Sequence, residues 1–159
     1  MRPGPARSLP ASILESSSKA RGSAFGNRGE EANRGGYDGT VYWLHGGVAH
    51  AITPESYKPP LAFTVGGFGD SVGAMNLAGG ISAALLRRER GGEVPVVDVS
   101  LMGTAAWVTG IYTNTALQTG FAPRARDPRI GPVPVNPFIG NFECSDGVVI
   151  GFFILQPGP

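Results

Sequence analysis

An aspartate, Asp70, stands among glycines in the segment GGFGDSVG at residues 66–73. A carboxylate with so few side chains around it can attack a bulky electrophile, so the pattern is typical of a nucleophilic site. The same glycines also suit a phosphate-binding turn before a helix, as in dinucleotide-binding folds. The segment is therefore compatible with covalent catalysis by Asp70 or with phosphate binding by the backbone.

The negative charge of Asp70 argues against the phosphate. A phosphate at a helix N-terminus needs the backbone N–H groups there, and Asp70 would bring a second negative charge to the same place. Two such charges about 4 Å apart repel by about 1 kcal/mol in water. The acid that binds the ribose, about 20 residues further on in a dinucleotide site, is also missing, since Asp98 comes too late. Spacing alone favours a purely structural N-cap at Asp70 over a nucleophile, so a further signal is needed to choose between them.

The element that must position Asp70 is a helix over residues 71–90. Its apolar residues recur at helical spacing, and its last turn, RRER, places cations at the negative end of the helix dipole. Asp70 is then the expected N-cap, and Gly91-Gly92 are suited to a left-handed C-terminal cap.

Further elements follow from apolar spacing, β-branched residues and turn residues. We expect helices over 37–52 and 102–119, a short buried strand or an extended run over 61–65, a strand in PVVDVSL at 95–101, and a hairpin turning at Asp146-Gly147.

Composition limits the possible partners and the cellular location. The 159 residues carry a net charge of +1, so neither nucleic acid nor an anionic membrane is an expected partner. The single cysteine, Cys144, excludes an internal disulfide and a thiolate metal cluster, and we interpret it as a small strand hydrophobe. No signal peptide or apolar run of roughly 20 residues is present. We therefore expect a cytoplasmic protein that does not span a membrane.

Several motifs together resemble one family. The segments GDSVGAMNLAGGISAALLRRERGG (69–92) and VVDVSLMGTAAW (96–107) resemble the central part of the class III CoA-transferases, which include the alpha-methylacyl-CoA racemases. FGNRGEEANRGGYD (25–38), NPFIG (136–140) and SDG (145–147) resemble further parts of the same family. The resemblance covers roughly residues 24–157.

The resemblance implies an α/β fold, a partial Rossmann-like CoA-transferase domain followed by the start of a second small domain. Residues 24–120 would be the central part of the large domain and 138–159 the hairpin that opens the second domain, whereas composition alone predicts a disordered leader over 1–23 and a linker over 121–137. Family members are much longer, so the chain has the character of a fragment with impaired activity. In the full-length family two chains form an interlocked homodimer.

The resemblance also assigns the chemistry. Asp70 would be the catalytic residue that attacks an acyl-CoA thioester, forming a mixed anhydride and then an aspartyl-CoA thioester before CoA leaves on a carboxylic acid. The N–H groups of the first helical turn are candidates to stabilise the oxyanion. Tyr37, Gly69 and Leu101 would lie near the substrate or CoA. Coenzyme A is thus a substrate, and neither a bound cofactor nor a metal is implied.

Two alternatives to a transferase stay open. Racemases of the family carry a histidine in a GHD motif, where this chain has Gly36-Tyr37-Asp38. Tyr37, with an ordinary pKa near 10, is a poor proton acceptor at neutral pH, which favours transfer over racemisation. His45 and His50 are interpreted as ordinary surface residues. The other alternative is a non-catalytic remnant that binds partners through its helix faces.

Overall fold

The computed structural model describes residues 19–32, 34–62, 65–93, 95–125 and 139–154, which fall in two compact units divided after Ala125. The described part of the chain mixes helices with small sheets, which is an α/β arrangement. The first unit contains β1 (Ala20–Ser23), α1 (Asp38–His45, a π-helix), α2 (Val48–Ile52), α3 (Phe68–Glu89), β2 (Val97–Ser100), α4 (Leu101–Val108) and α5 (Gly110–Thr119). The second contains β3 (Ile139–Glu143) and β4 (Val149–Phe153).

Strands β1 and β2 form a parallel pair in which Ala20 lies opposite Val97 and Ser23 opposite Ser100. Strand β1 occupies four residues that the composition had assigned to the leader. A strand this short carries no readable alternation, and its partner is 77 residues away, so the sequence offered no local signal for it. Residues 1–18 lie outside the described residues.

Helix α3 begins earlier than the sequence predicts. Its N-cap is Gly67, whose φ of 70° lies in the left-handed region, and the N–H of Ser71 donates to the carbonyl of Gly67 at 2.9 Å. Asp70 is therefore the third residue of the helix, and its predicted role as the N-cap is wrong. The helix ends at Glu89 and is followed by Gly91 with a φ of 75°, which confirms the predicted left-handed end.

The two other expected helices are each divided into two. The first breaks at Gly46-Gly47, where Gly47 has a φ of 75° and separates α1 from α2. The second breaks at Thr109, whose hydroxyl donates to the carbonyl of Ala105 at 2.9 Å. Residues 61 and 62 of the expected extended run lie in no regular element, and residues 63 and 64 are outside the described part.

The core of the first unit forms where α1 packs against its neighbours. The central side chains are those of Tyr42, Trp43, Val48, Ala49 and Ala105. A Cβ atom added to Gly46 would lie 2.2 Å from the Cβ atom of Ala105, so the close approach of α1 and α4 requires this glycine.

The second unit is an antiparallel hairpin of β3 and β4, with Ile139 opposite Phe153 and Glu143 opposite Val149. Gly147 has a φ of 80° in the turn, and the N–H of Cys144 donates to the carbonyl of Val148 at 2.8 Å. The predicted turn is confirmed. Cys144 lies just after β3 in the turn region, and the predicted linker over 121–137 lies outside the described residues from 126 onward. No helix in the described ranges is long and apolar enough to cross a membrane.

Candidate functional site

A pocket of about 370 Å³ lies at the carboxyl ends of β1 and β2, beside the N-terminal half of α3. This volume falls within the range of small-molecule sites. Most residues of the pocket wall are small or apolar, and Asp70 is the acidic residue among them. The lining residues are Gly22, Ser23, Ala24, Gly36, Asp70, Gly73, Ala74, Leu77, Val99, Ser100 and Leu101.

Asp70 lines this pocket from the first turn of α3. The N-terminus of a helix carries a partial positive charge, which stabilises an anion placed there. Asp70 is exposed, so a substrate in the pocket can reach the carboxylate without displacing another protein side chain. These features suit a nucleophile that works in its ionised form.

Three of the four glycines around Asp70 differ in their structural roles. Gly67 provides the left-handed turn before the helix, and Gly73 lies in the pocket wall. Gly69 is buried, and a Cβ atom there would lie 2.2 Å from Cγ of Tyr42 and 2.4 Å from Oδ1 of Asp38. The expectation that these glycines all make room for a substrate is therefore wrong for Gly69, because it makes room for α1.

Asp38 is a buried acid that the sequence analysis did not single out. It is 5% exposed, and its Oδ1 accepts the backbone N–H of Gly69 at 2.9 Å while its Oδ2 accepts the Nε1–H of Trp43 at 3.3 Å. The N–H of Gly69 is thus already used and is not a free donor for an oxyanion. The GYD tripeptide at residues 36–38 is the sequence feature that could have drawn attention to Asp38. Its spacing, however, gives no indication of a contact with α3.

Burial and, secondarily, the nearby Asp38 carboxylate raise the pKa of the Tyr42 phenol above its ordinary value. Tyr42, a residue of α1, is fully buried against the start of α3, and its hydroxyl has no hydrogen-bond partner among the described residues. A negative charge on the Tyr42 phenol is therefore disfavoured.

The structure brings two of the four predicted site residues to the pocket, Asp70 and Leu101. Gly69 packs against α1 instead. Tyr37 is the N-cap of α1, is 79% exposed and lies outside the pocket lining, although its neighbour Gly36 is part of that lining.

The two predicted surface histidines also lie away from the pocket. His45 packs edge-on against Phe25 with ring centroids 5.5 Å apart, and His50 is exposed on α2. Over the described ranges, no three His, Cys, Asp or Glu side chains are grouped so that they could hold a metal ion.

Two serines add hydrogen-bonding groups to the pocket that the sequence analysis did not identify. Ser23 and Ser100 end β1 and β2 at the same register. The Oγ of Ser23 accepts the N–H of Gly26 at 3.1 Å, and the Oγ of Ser100 accepts the N–H of Gly103 at 3.0 Å. Each hydroxyl accepts one bond and retains its own hydrogen for donation to a ligand oxygen.

Comparison with known proteins gives one consistent family. The sequence model of CoA-transferase family III matches residues 19–156. The chain is 31% identical over 132 residues to a (R)-2-hydroxy-4-methylpentanoate CoA-transferase of Clostridioides difficile, covering 83% of this chain and 31% of that protein. It is 33% identical over 92 residues to a cinnamoyl-CoA:phenyllactate CoA-transferase of Clostridium sporogenes, covering 58% of this chain and 22% of that protein. The chain thus spans about a third or less of the length of these relatives.

Solved structures agree on the fold. A CaiB/BaiF family protein from Brucella suis superimposes with a TM-score of 0.67 at 22% identity, covering 82% of this chain and 33% of that one. A hypothetical protein from Mycobacterium tuberculosis superimposes with a TM-score of 0.56 at 27% identity, covering 67% of this chain and 29% of that one. The match of the family model over most of the sequence, supported by these structures, shows that the chain belongs to CoA-transferase family III.

Proposed function

We propose that this chain carries the nucleophile of a CoA-transferase and that Asp70 is the catalytic residue. The observation that carries the proposal is the place of Asp70, an exposed carboxylate at the N-terminal turn of α3 that lines a pocket of mostly small and apolar residues. Both relatives described above are named as CoA-transferases, which supports the reaction class. Because the chain spans 31% of the first of them, catalysis by this chain is itself part of the proposal.

The proposed reaction transfers CoA in four balanced steps. The Asp70 carboxylate attacks the thioester carbonyl of an acyl-CoA, giving an aspartyl-acyl anhydride and the CoA thiolate. The thiolate attacks the aspartyl carbonyl, releasing the donor acid and leaving an aspartyl-CoA thioester. The acceptor carboxylate attacks this thioester, giving a second anhydride and the thiolate. Attack of the thiolate on the acceptor's acyl carbonyl then forms the new acyl-CoA and restores Asp70.

The pocket supplies hydrogen-bond donors for the carbonyl oxygen of the substrate or of Asp70, which becomes negatively charged each time a nucleophile adds to that carbonyl. The hydroxyls of Ser23 and Ser100 lie in the wall and each has a hydrogen to donate. The N–H of Gly69 is excluded from this role because Asp38 accepts it. The remaining lining residues are small and apolar. They suit a branched or aromatic acyl group, such as those in the names of the two relatives.

Transfer is favoured over racemisation by the place of Tyr37. A racemase needs a base at the substrate's alpha carbon, whereas Tyr37 is exposed and lies outside the pocket lining. Absence of alpha-proton exchange from an acyl-CoA in deuterated water is the expected result.

The proposal includes a second copy of the chain as a partner, since α4 and α5 expose several large apolar side chains. It includes no nucleic acid, because the net charge is +1. The competing interpretation is a non-catalytic remnant that uses the same faces to bind partners.

The test is covalent trapping of the aspartyl thioester. The chain is mixed with (R)-2-hydroxy-4-methylpentanoyl-CoA or cinnamoyl-CoA and quenched with hydroxylamine, and peptides are examined for a hydroxamate at Asp70. Asp70→Asn should lose all trapping, while Asp146→Asn in the hairpin turn, which keeps an acceptor for the N–H of Val148, should lose none. Trapping at another residue, or turnover by Asp70→Asn, would remove Asp70 from the mechanism. Absence of trapping and turnover would favour the non-catalytic remnant.

A further inference from the structure

We propose that Asp38 is a positioning residue for Asp70: its buried carboxylate holds the first turn of α3 by accepting the N–H of Gly69, the residue directly before Asp70. The catalytic part of this inference rests on the proposed function. The contact itself is a separate structural claim that can be measured without any substrate.

The contact joins two elements that are far apart in sequence. Asp38 is the first residue of α1, and the bond from the N–H of Gly69 to its Oδ1 measures 2.9 Å across 31 residues. Because α3 begins at Phe68, the N–H of Gly69 has no acceptor within the helix. Asp38 supplies that acceptor from outside and thereby ties the turn carrying Asp70 to α1.

The buried environment of Asp38 favours this bond. A buried carboxylate is costly unless its oxygens are hydrogen-bonded, and here each oxygen has one donor, from Gly69 and from Trp43. The bond from Trp43 holds the orientation of the carboxylate but does not touch α3.

Close packing restricts the same turn from a second side. A Cβ atom on Gly69 would meet Cγ of Tyr42 at 2.2 Å, so the backbone of α3 lies directly on that ring. Sliding of the turn toward α1 is blocked by the ring, and movement away breaks the bond to Asp38. The position of Asp70 in the pocket wall thus depends on the residue that precedes it.

Three variants separate this bond from the other roles of Asp38. Asp38→Ala removes both hydrogen bonds. Asp38→Asn keeps an oxygen for the N–H of Gly69 but loses the acceptor for Trp43, and Trp43→Phe loses that same bond while leaving the carboxylate in place. The first readout is amide hydrogen exchange at Gly69, measured by NMR on glycine-labelled chain. The second is the rate of Asp70 trapping per folded molecule at varied acyl-CoA concentration.

We expect Asp38→Ala to speed exchange at Gly69 at least about tenfold. The same change should slow trapping roughly a hundredfold, because a small displacement of a nucleophile has that effect, with the half-saturating acyl-CoA concentration unchanged. Asp38→Asn and Trp43→Phe should stay within about threefold of the parent chain in both readouts. This split between rate and saturation, and the rescue by asparagine, would not result from a general loss of stability.

Unprotected exchange at Gly69 in the parent chain would overturn the inference. So would an unchanged trapping rate in Asp38→Ala. If Asp38→Ala does not fold, a folded Asp38→Asn that loses Gly69 protection or trapping overturns it equally, since the acceptor oxygen is still present. One result separates the two proposals: the parent chain gives no trapping at Asp70, while hydrogen exchange at Gly69 responds as expected. In that case the proposed function is wrong, and so is the catalytic part of this inference. The structural contact between Asp38 and Gly69 is then still supported.

Discussion

Gly80 of α3 lies against Val97 of β2 so closely that an added Cβ atom would come within 2.6 Å of Val97 Cγ1. The neighbouring Gly79 faces open space. Two adjacent glycines in one helix therefore have opposite surroundings. Gly80 allows α3 to rest on the parallel strand pair that forms one side of the pocket.

Alanine at these two positions should change stability in opposite directions. Gly79→Ala should raise the free energy of unfolding by up to about 1 kcal/mol, because alanine is the better helix former. Gly80→Ala should lower it by about 1–3 kcal/mol, because the new methyl group pushes α3 away from β2. Urea titrations followed by circular dichroism provide the measurement. Equal effects of the two substitutions would mean that α3 does not rest on β2 as described.

The parts of the fold that sequence predicted are those with local signals. The periodicity and glycine end of α3 and the turn at Gly147 are such signals, and the structure confirms them. The family and the α/β class are confirmed as well. The start of α3 differs from the prediction because glycine and aspartate are both common N-cap residues. Only the backbone φ shows that Gly67, and not Asp70, is the N-cap.

The parts that sequence missed depend on distant contacts. Strand β1 has no alternation of its own and is defined by pairing with β2. The role of Asp38 depends on a bond across 31 residues, and that of Gly69 on the ring of Tyr42. Asp70 was singled out from local chemistry and local neighbours and does line the pocket, whereas Ser23 and Ser100 are brought together only by strand register.

Ser100 is the N-cap of α4, and its Oγ accepts the N–H of Gly103 at 3.0 Å. Ser100→Ala should lower the free energy of unfolding by about 1 kcal/mol, because the helix loses its cap. The matched control is Ser82→Ala in α3, where the exposed hydroxyl donates to the carbonyl of Ala78 and caps nothing. That change should stay within about 0.5 kcal/mol of the parent chain. Chemical denaturation of both variants tests this, and a Ser100→Ala chain as stable as Ser82→Ala would contradict it.

The phenol of Tyr42 should make the protein sensitive to alkaline pH. Its pKa is raised in the folded chain by burial and then by Asp38. As pH rises past about 10, the unfolded chain loses this proton first, so the unfolded state binds fewer protons and stability falls through the raised pKa. Below that range the phenol is neutral in both states and the effect is absent.

Tyr42→Phe tests this pH dependence. The variant should be more stable by about 1 kcal/mol at neutral pH, because the buried hydroxyl has no partner among the described residues. It should also lose less stability above about pH 10 than the parent chain. Tyr112→Phe, at a partly exposed ring on α5, is the control and should change stability at neutral pH by less than about 0.5 kcal/mol. Destabilisation by Tyr42→Phe at neutral pH would show that the hydroxyl has a bonding partner.

Helices α4 and α5 and the residues after them expose the large apolar side chains of Trp107, Ile111, Leu117 and Phe121, with the first two 82% exposed, and we expect them to form one apolar surface. Soluble monomers rarely expose contiguous apolar areas beyond a few hundred Å². Burial of such area contributes roughly 25 cal/mol per Å², which favours association once it exceeds the entropic cost of binding. We therefore expect the 159-residue chain to self-associate and to bind a hydrophobic dye.

The double substitution Trp107→Gln and Ile111→Gln should reduce dye fluorescence and shift sedimentation toward the monomer, because it removes two of the most exposed apolar side chains of this surface. Met75→Gln is the control, since Met75 is similarly exposed but lies on α3, away from α4 and α5 in sequence. It should change neither measurement. A parent chain that sediments as a monomer without binding dye would contradict the proposal of a second copy as partner. Equal effects of the control and the double variant would mean that association does not depend on α4 and α5.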